Sequence, residues 1–370
     1  MPSIKTPPER AQPGMAGRVA CWVLLMTLSW LGACAEVKYV MQLDPDYRSA
    51  KATPLWPSAP QKPRFQYVGQ LLGEENLVSD AAQARNAGVK LFNWLVGLFD
   101  GGEERVTLKR PQSGVVDAQG RIYVTDISQH AVFVFDPVAG QVLVWTQARE
   151  HVKFVTPIGI TLGGDGQLLV VDAELGAVFR LDPQGKPMGS FGAGSLKRPT
   201  GLVRDARRGR IYVADTHAHD VKVFDDAGQL LEVLGRRGEN EGELNFPTHL
   251  AFGGDRLYVA DSMNARVQVF DEQGRGAGVI GRRGLFVGNL TRPKGVAVDG
   301  SGNVYVVESF HDNLLVFDRT GNFLMPIGGT GKDVGKFYLP SGVWSDARGR
   351  IYVADMFNGR VVIFQFLGGD

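Results

Sequence analysis

Cysteine is nearly absent from this chain, with two residues, Cys21 and Cys34, among 370. From Ala35 onward no disulfide can form and no thiolate can hold a metal. An excess of one charge is missing too, since 40 Lys and Arg face 39 Asp and Glu. A general nucleic-acid binder carries a basic excess, and this chain has none. Long apolar runs are confined to positions 19–31, a stretch too short for a typical membrane span. The six histidines, His130, His151, His217, His219, His249 and His311, match no zinc spacing. No nucleophile elbow, P-loop or dinucleotide fingerprint occurs. Gly192-Ala193-Gly194-Ser195 lies in a turn between strands, with no helix following to receive a phosphate.

Glycine, in contrast, is abundant at 48 residues, and a short phrase recurs six times. It reads Tyr123-Val124-Thr125-Asp126, Leu169-Val170-Val171-Asp172, Tyr212-Val213-Ala214-Asp215, Tyr258-Val259-Ala260-Asp261, Tyr305-Val306-Val307-Glu308 and Tyr352-Val353-Ala354-Asp355. The acidic residues stand 46, 43, 46, 47 and 47 positions apart. A fixed period in that range signals a repeat architecture. Each phrase follows a proline and an apolar run, beginning at Pro111, Pro157, Pro199, Pro247, Pro293 and Pro340. Pro-x-Gly is the pattern, and the fourth copy carries His249 at the glycine position. A polar loop and a second apolar strand follow, ending in Phe135-Asp136, Leu181-Asp182, Phe224-Asp225, Phe270-Asp271, Phe317-Asp318 and Phe364-Gln365. Four short β runs per repeat of this length make a propeller blade. The expected fold is therefore all-β, a six-bladed β-propeller over residues 64–370. Six copies contain only five internal fourth strands. Residues 64–73 have the right pattern and are expected to close the ring by pairing with residues 361–366.

These motifs resemble the NHL repeat and, more broadly, the TolB-like six-bladed propellers. Asp261-Ser262-Met263-Asn264-Ala265-Arg266 and Asp355-Met356-Phe357-Asn358-Gly359-Arg360 keep the Asn and Arg expected of that repeat. His130 and His219 stand where NHL repeats often carry histidine. The resemblance implies a binding scaffold in most cases. An amidating lyase with a histidine-bound metal and lactonase-type enzymes are related exceptions.

The first 33 residues resemble a lipoprotein signal peptide. Lys5, Arg10 and Arg18 precede the apolar stretch, and Leu31-Gly32-Ala33-Cys34 resembles a lipobox. This implies lipidation of Cys34, a bacterial cell-envelope location and a membrane tether. Ala35 rather than Asp after the cysteine implies the outer membrane. Cleavage removes three basic residues and one acidic, leaving 37 and 38 and a formal charge of −1. Residues 34–63 hold Pro45, Pro54, Pro57, Pro60 and Pro63 and read as an extended tether. Residues 74–109 form an insertion. Within it Ser79 to Phe99 reads as a helix, with Val89, Phe92, Leu95, Val96 and Phe99 at helical spacing. That helix is expected to pack on the propeller face; a lid over the channel mouth, a docking helix for a partner and a membrane-surface helix are the alternatives.

In a four-stranded blade, the loop between strands two and three shares a face with the connection entering the next blade. Phe310, Phe357, Met356, Met263 and His217 fall in those loops. Arg237 and Arg283 fall in the connections, and His249 falls at the channel mouth. Aromatic, Met and Arg side chains on one face suit protein binding. These eight are the candidate binding residues, for an envelope protein first and a small extracytoplasmic ligand second. No catalytic residue, metal or cofactor is implied. The repeated acids are read as turn-fixing groups, with Glu308 as the one departure that marks function. The alternative is an envelope metal-dependent lyase or hydrolase centred on His217, His249 and His311. A lactonase-like site would need an acidic metal cluster lining the channel.

Overall fold

The computed structural model describes residues 39–43, 53–79 and 105–368, all within the compact unit that begins at Tyr39. Six antiparallel sheets form the blades. Their innermost strands are Pro111–Val116, Pro157–Leu162, Pro199–Asp205, Pro247–Gly253, Pro293–Val298 and Val343–Ser345. Each contacts the innermost strand of both neighbouring blades, and the sixth contacts the first, so the ring closes.

The second strands carry the repeated phrase. Leu168–Asp172 is buried throughout, and so are Ile122–Asp126 and Val304–Glu308. β-branched and aromatic side chains alternate between the two faces of each blade and fill both spaces between blades. The tyrosine of the phrase also bonds within its blade. The hydroxyls of Tyr123, Tyr305 and Tyr352 donate to Asp117, Asp299 and Asp346 at 3.0, 2.8 and 2.9 Å.

Phe65–Leu71 pairs antiparallel with Arg360–Phe366, from Val361 opposite Leu71 to Phe366 opposite Phe65. This is the closure expected from the missing fourth strand. Leu55–Trp56 adds a fifth strand outside it, and the Trp56 ring meets Phe364 edge-on at 5.3 Å. Part of the stretch read as a tether is thus built into blade 6. Tyr39–Met41 pairs with Leu77–Ser79. The signal segment, Cys34 and the expected helix over 79–99, Ser79 apart, lie outside the described residues.

Hydroxyl groups stitch the blades together around the channel. Thr200 Oγ1 donates to the Thr248 carbonyl, and Thr248 Oγ1 to the Lys294 carbonyl, each at 2.8 Å. Ser341 Oγ spans the ring closure, reaching the carbonyls of Pro111 and Gln112 at 3.0 Å. Glycine sits beside these bonds because the neighbouring backbone leaves no room. A Cβ on Gly201 would stand 2.4 Å from the Thr248 oxygen and 2.7 Å from the His249 Cα. Ser341 is fully buried, so Ser341→Ala leaves carbonyls without this donor. The expected cost is about 1–3 kcal/mol, read as a lowered urea midpoint with unchanged far-ultraviolet dichroism. An unchanged midpoint would show that the stitch contributes nothing.

Candidate functional site

The face that carries the candidate residues is organised by the repeated acids. Asp126 Oδ2 accepts from the backbone N–H of Lys109 and Arg110 at 2.7 and 2.8 Å, in the connection entering blade 1. Its Oδ1 accepts from Ser128 and Gln129 at 2.9 and 3.0 Å, in the loop leaving the second strand. Asp172 makes the same four bonds, to Val155, Thr156, Glu174 and Leu175. Asp215 holds Lys197 and Arg198. Glu308 does likewise, accepting from Thr291, Arg292 and Phe310. The acids are clamps that join connection to loop, and Glu308 belongs among them; its functional mark gains no support.

Blades 4 and 6 add a brace, made of the Asn and Arg that resemble the NHL pattern. Arg266 Nε bonds Asp261 at 2.9 Å. Its terminal nitrogens reach the carbonyls of Glu239, Asn240 and Glu243, each at 2.8 Å. Arg360 repeats this with Asp355, Asp333 and Lys336. Burial pushes the Asp261 and Asp355 carboxyls above the usual range, and their backbone and side-chain hydrogen bonds act against that shift. Blade 5 has His311 and Asn313 at the corresponding positions.

Upon this frame stand the displayed side chains. Phe310 and Met263 are each 55% exposed, and Phe357 is 44% exposed. Arg110 stacks over the Phe357 ring at 5.2 Å, and Tyr338 meets that ring edge-on at 5.5 Å. Arg283 donates to the Met263 carbonyl at 2.7 Å, which joins these two candidates. Arg237 is exposed beside His219. Burial, then the Arg237 charge, holds His219 below the ordinary imidazole range. Phe246 packs between His217 and His219, at 6.0 and 4.5 Å. Met356 lies half-buried in the turn before Phe357.

His249 stands apart, 5% exposed and inside the channel. At the same level of the ring the other five blades present Ser113, Gly159, Gly201, Gly295 and Gly342. The first blade thus carries serine where the repeat pattern expects glycine. The imidazole fills the space those small residues leave. The backbones of Lys294 and Gln112 face it, yet neither ring nitrogen reaches hydrogen-bonding geometry with a described group. Burial first, then the Lys294 charge, pushes its pKa down to about 4. Lys294, half-buried, is itself pushed down to about 8 by loss of solvent first and then by the Arg292 charge.

Below His249 the channel holds a cavity of about 150 Å³, walled by residues such as Ile160, Leu202, Val296 and Trp344. No carboxylate lines it. His217, His249 and His311 do not converge: the first packs on Phe246, the second fills the channel and the third packs on Phe310. Among the described residues no three His, Cys, Asp or Glu side chains are placed to hold one metal ion.

Residues 111–328, more than half of the chain, match the family described as the SMP-30/gluconolactonase/LRE-like region. The chain belongs to that family. Residues 296–370 also match a family described as a 6-bladed beta-propeller. No curated protein sequence matches the chain. Among solved structures it is similar to a virginiamycin B lyase from Staphylococcus aureus, at 13% identity over 70% of this chain and 96% of the other, TM-score 0.52. It is similar to a gluconolactonase from Xanthomonas campestris, at 18% identity over 72% and 90%, TM-score 0.53. It is also similar to an auxiliary nutrient binding protein from Bacteroides ovatus, at 15% over 70% and 69%, TM-score 0.55. At these identities the likeness is one of fold. The acidic metal cluster that a lactonase-like site needs does not fit the family member described here, because its channel wall offers one imidazole and no carboxylate.

Sequence reasoning passed over Leu285-Phe286-Val287, which stand 74, 81 and 63% exposed in the connection between blades 4 and 5. Three consecutive apolar residues between glycines, where no strand falls, were the available signal.

The pKa of His249 carries a stability consequence. Its folded value of about 4 lies below the ordinary 6.5 of an unfolded chain, so the unfolded state binds the proton first as pH falls. Stability supported by the neutral ring is present above pH 6.5 and is lost towards pH 4. Wild type is expected to lose about 2 kcal/mol more than His249→Gln between pH 6.5 and 5. Paired urea titrations at the two pH values check this, and parallel losses would refute it.

Proposed function

We propose that this protein is a lipid-anchored, non-catalytic propeller of the bacterial cell envelope, NHL-like in its repeat, whose clamped face docks another envelope protein. The observation that carries the reading is the display of Phe310, Met263 and Phe357 on one face, over backbone fixed by buried carboxylates. Aromatic side chains on fixed backbone lose little freedom on binding, Met adapts its shape to a partner, and Arg groups around them provide polar contacts. The channel supports the same reading, since His249 fills it and its wall lacks carboxylates. Cys34, in its lipobox-like setting, supplies the anchor.

Central aromatic contacts typically contribute about 2 kcal/mol or more each. Replacing both Phe310 and Phe357 with alanine is therefore expected to weaken partner capture on the order of a thousandfold if the two add. Crosslinking of the lipidated protein in its own membranes, beside the folded double variant, measures this. Equal capture by both proteins sinks the docking face. The anchor has its own test: Cys34→Ser is expected to move the protein from the membrane pellet to the soluble fraction, and continued pelleting would refute lipidation.

A further inference from the structure

Three connections between blades are built on one template. They cover residues 235–244, 281–290 and 328–337. Each opens on a positive-φ glycine, Gly235, Gly281 or Gly328, and carries a second at Gly242, Gly288 or Gly335. Each closes with the same three backbone bonds. Gly238, Gly284 and Gly331 N–H groups donate to Leu244, Leu290 and Phe337 carbonyls at 3.1, 3.1 and 2.9 Å. The reverse bonds run from Leu244, Leu290 and Phe337 to Arg236, Arg282 and Gly329. The third closes the tip, from Glu243, Asn289 and Lys336 to Asn240, Phe286 and Asp333. Leu244, Leu290 and Phe337 are all fully buried anchors.

These backbone bonds set no demand on the three tip side chains, although Glu241 accepts from Gly278 N–H and Val334 packs on the core. The tip residues are Glu239-Asn240-Glu241 in the first connection and Lys332-Asp333-Val334 in the third. In the second they are Leu285-Phe286-Val287, the three strongly exposed apolar residues. The first and third tips are also held from below, by Arg266 and Arg360 on their carbonyls. Blade 5 offers no such arginine, because Asn313 stands in its place. The apolar tip is thus the one of the three without a brace and without a fold-based reason for its composition. An exposed apolar run of this kind costs solubility unless it is covered in use.

We propose that Leu285-Phe286-Val287 is a hook that seats in an apolar pocket rimmed by carboxylates on a partner protein. This rests on the docking reading and names the chemistry of its rim contact. Charge argues for the acidic rim: residues 281–292 carry Arg282, Arg283 and Arg292 and no acid, whereas the sister connection over 235–246 carries Glu239, Glu241 and Glu243. Position argues for a protein over a bilayer. Tyr39, where an anchor at Cys34 joins the described structure, lies against Gly140 in blade 1. Blade 1 stands across the six-membered ring from blade 4, whose outer strand leads into the hook. The hook is also continuous with the proposed face, through Arg283 on Met263 and Glu308 on Thr291 and Phe310.

The test uses the full lipidated chain in its own cells, with the photocrosslinker p-benzoylphenylalanine placed at Phe286 or, as control, at Asn240 in the sister tip. The expected result is a discrete protein adduct at Phe286, about tenfold above Asn240. Its crosslinked peptide should be apolar and contain Asp or Glu. Arg282→Glu should lower the yield about tenfold, and Arg236→Glu, the equivalent change in the sister connection, should leave it unaltered. Equal adducts at both positions, adducts only to lipid or to a second copy of this chain, insensitivity to Arg282→Glu, or no adduct would each overturn the hook. If Phe286 gives no adduct while capture still depends on Phe310 and Phe357, the hook fails and the docking face stands. If neither dependence is found, both fail.

Discussion

Six buried carboxylates at the ends of the second strands decide how this propeller presents anything to its surroundings. A carboxylate deprived of water is unfavourable unless its lone pairs are met. Each accepts backbone N–H groups from the connection entering its blade; Asp126, Asp172 and Glu308 also accept them from the following loop, and Asp261 and Asp355 accept Asn and Arg side chains there. The same acid that completes a strand thereby fixes the connection arriving from one blade and the loop within its own. Charge-assisted bonds of this type are stronger than neutral ones, and side chains carried by those loops inherit fixed positions. Neutral asparagine would leave the acceptor count short, because one of its two terminal atoms is a donor.

Variation between blades is then variation in how many such bonds each face segment receives. Blades 4 and 6 add an arginine that holds the preceding connection by its tip carbonyls. Blade 5 keeps the clamp through Glu308, whose longer side chain still reaches Thr291 and Arg292, but drops the arginine. Blade 5 also bears Phe310 and receives the apolar connection. Blade 5 thus keeps the acid clamp while placing Phe310 and the apolar connection on one surface.

Legibility in the sequence follows from the same physics. The period, the closing strand at Phe65–Leu71 and the turn-fixing role of the acids were readable, because each depends on local pattern or on pairing that the repeat itself defines. The face assignment of Phe310, Phe357 and Met263 was readable for the same reason. Radial position was not. His217 and His311 follow the acid of their blades and His249 belongs to an innermost strand, and all three were expected on one face. The innermost-strand residue enters the channel and the loop residues point outward. Nor was the strand at Leu55–Trp56 visible among prolines, since its order comes from packing Trp56 against Phe364 and not from local propensity. Leu285-Phe286-Val287 was passed over because its exposure depends on how the connection folds. Only three connections seen in one geometry expose the tip as a position of free choice.

Membership of a family named for gluconolactonase makes the channel the expected place for chemistry, but fold and function are separable and the site decides. In this chain the ring position where glycine would leave an opening holds an imidazole kept neutral by its own burial. Opening the channel would require that ring to move or to charge, and charging is opposed both by desolvation and by Lys294. The cavity beside that ring is lined by apolar and hydroxyl side chains and by no carboxylate. Chemical variety has moved outward to the connections, which the ring does not need in order to close. There a change such as Glu-Asn-Glu to Leu-Phe-Val leaves every template bond in place. The side chains of that tip can therefore change without disturbing the fold.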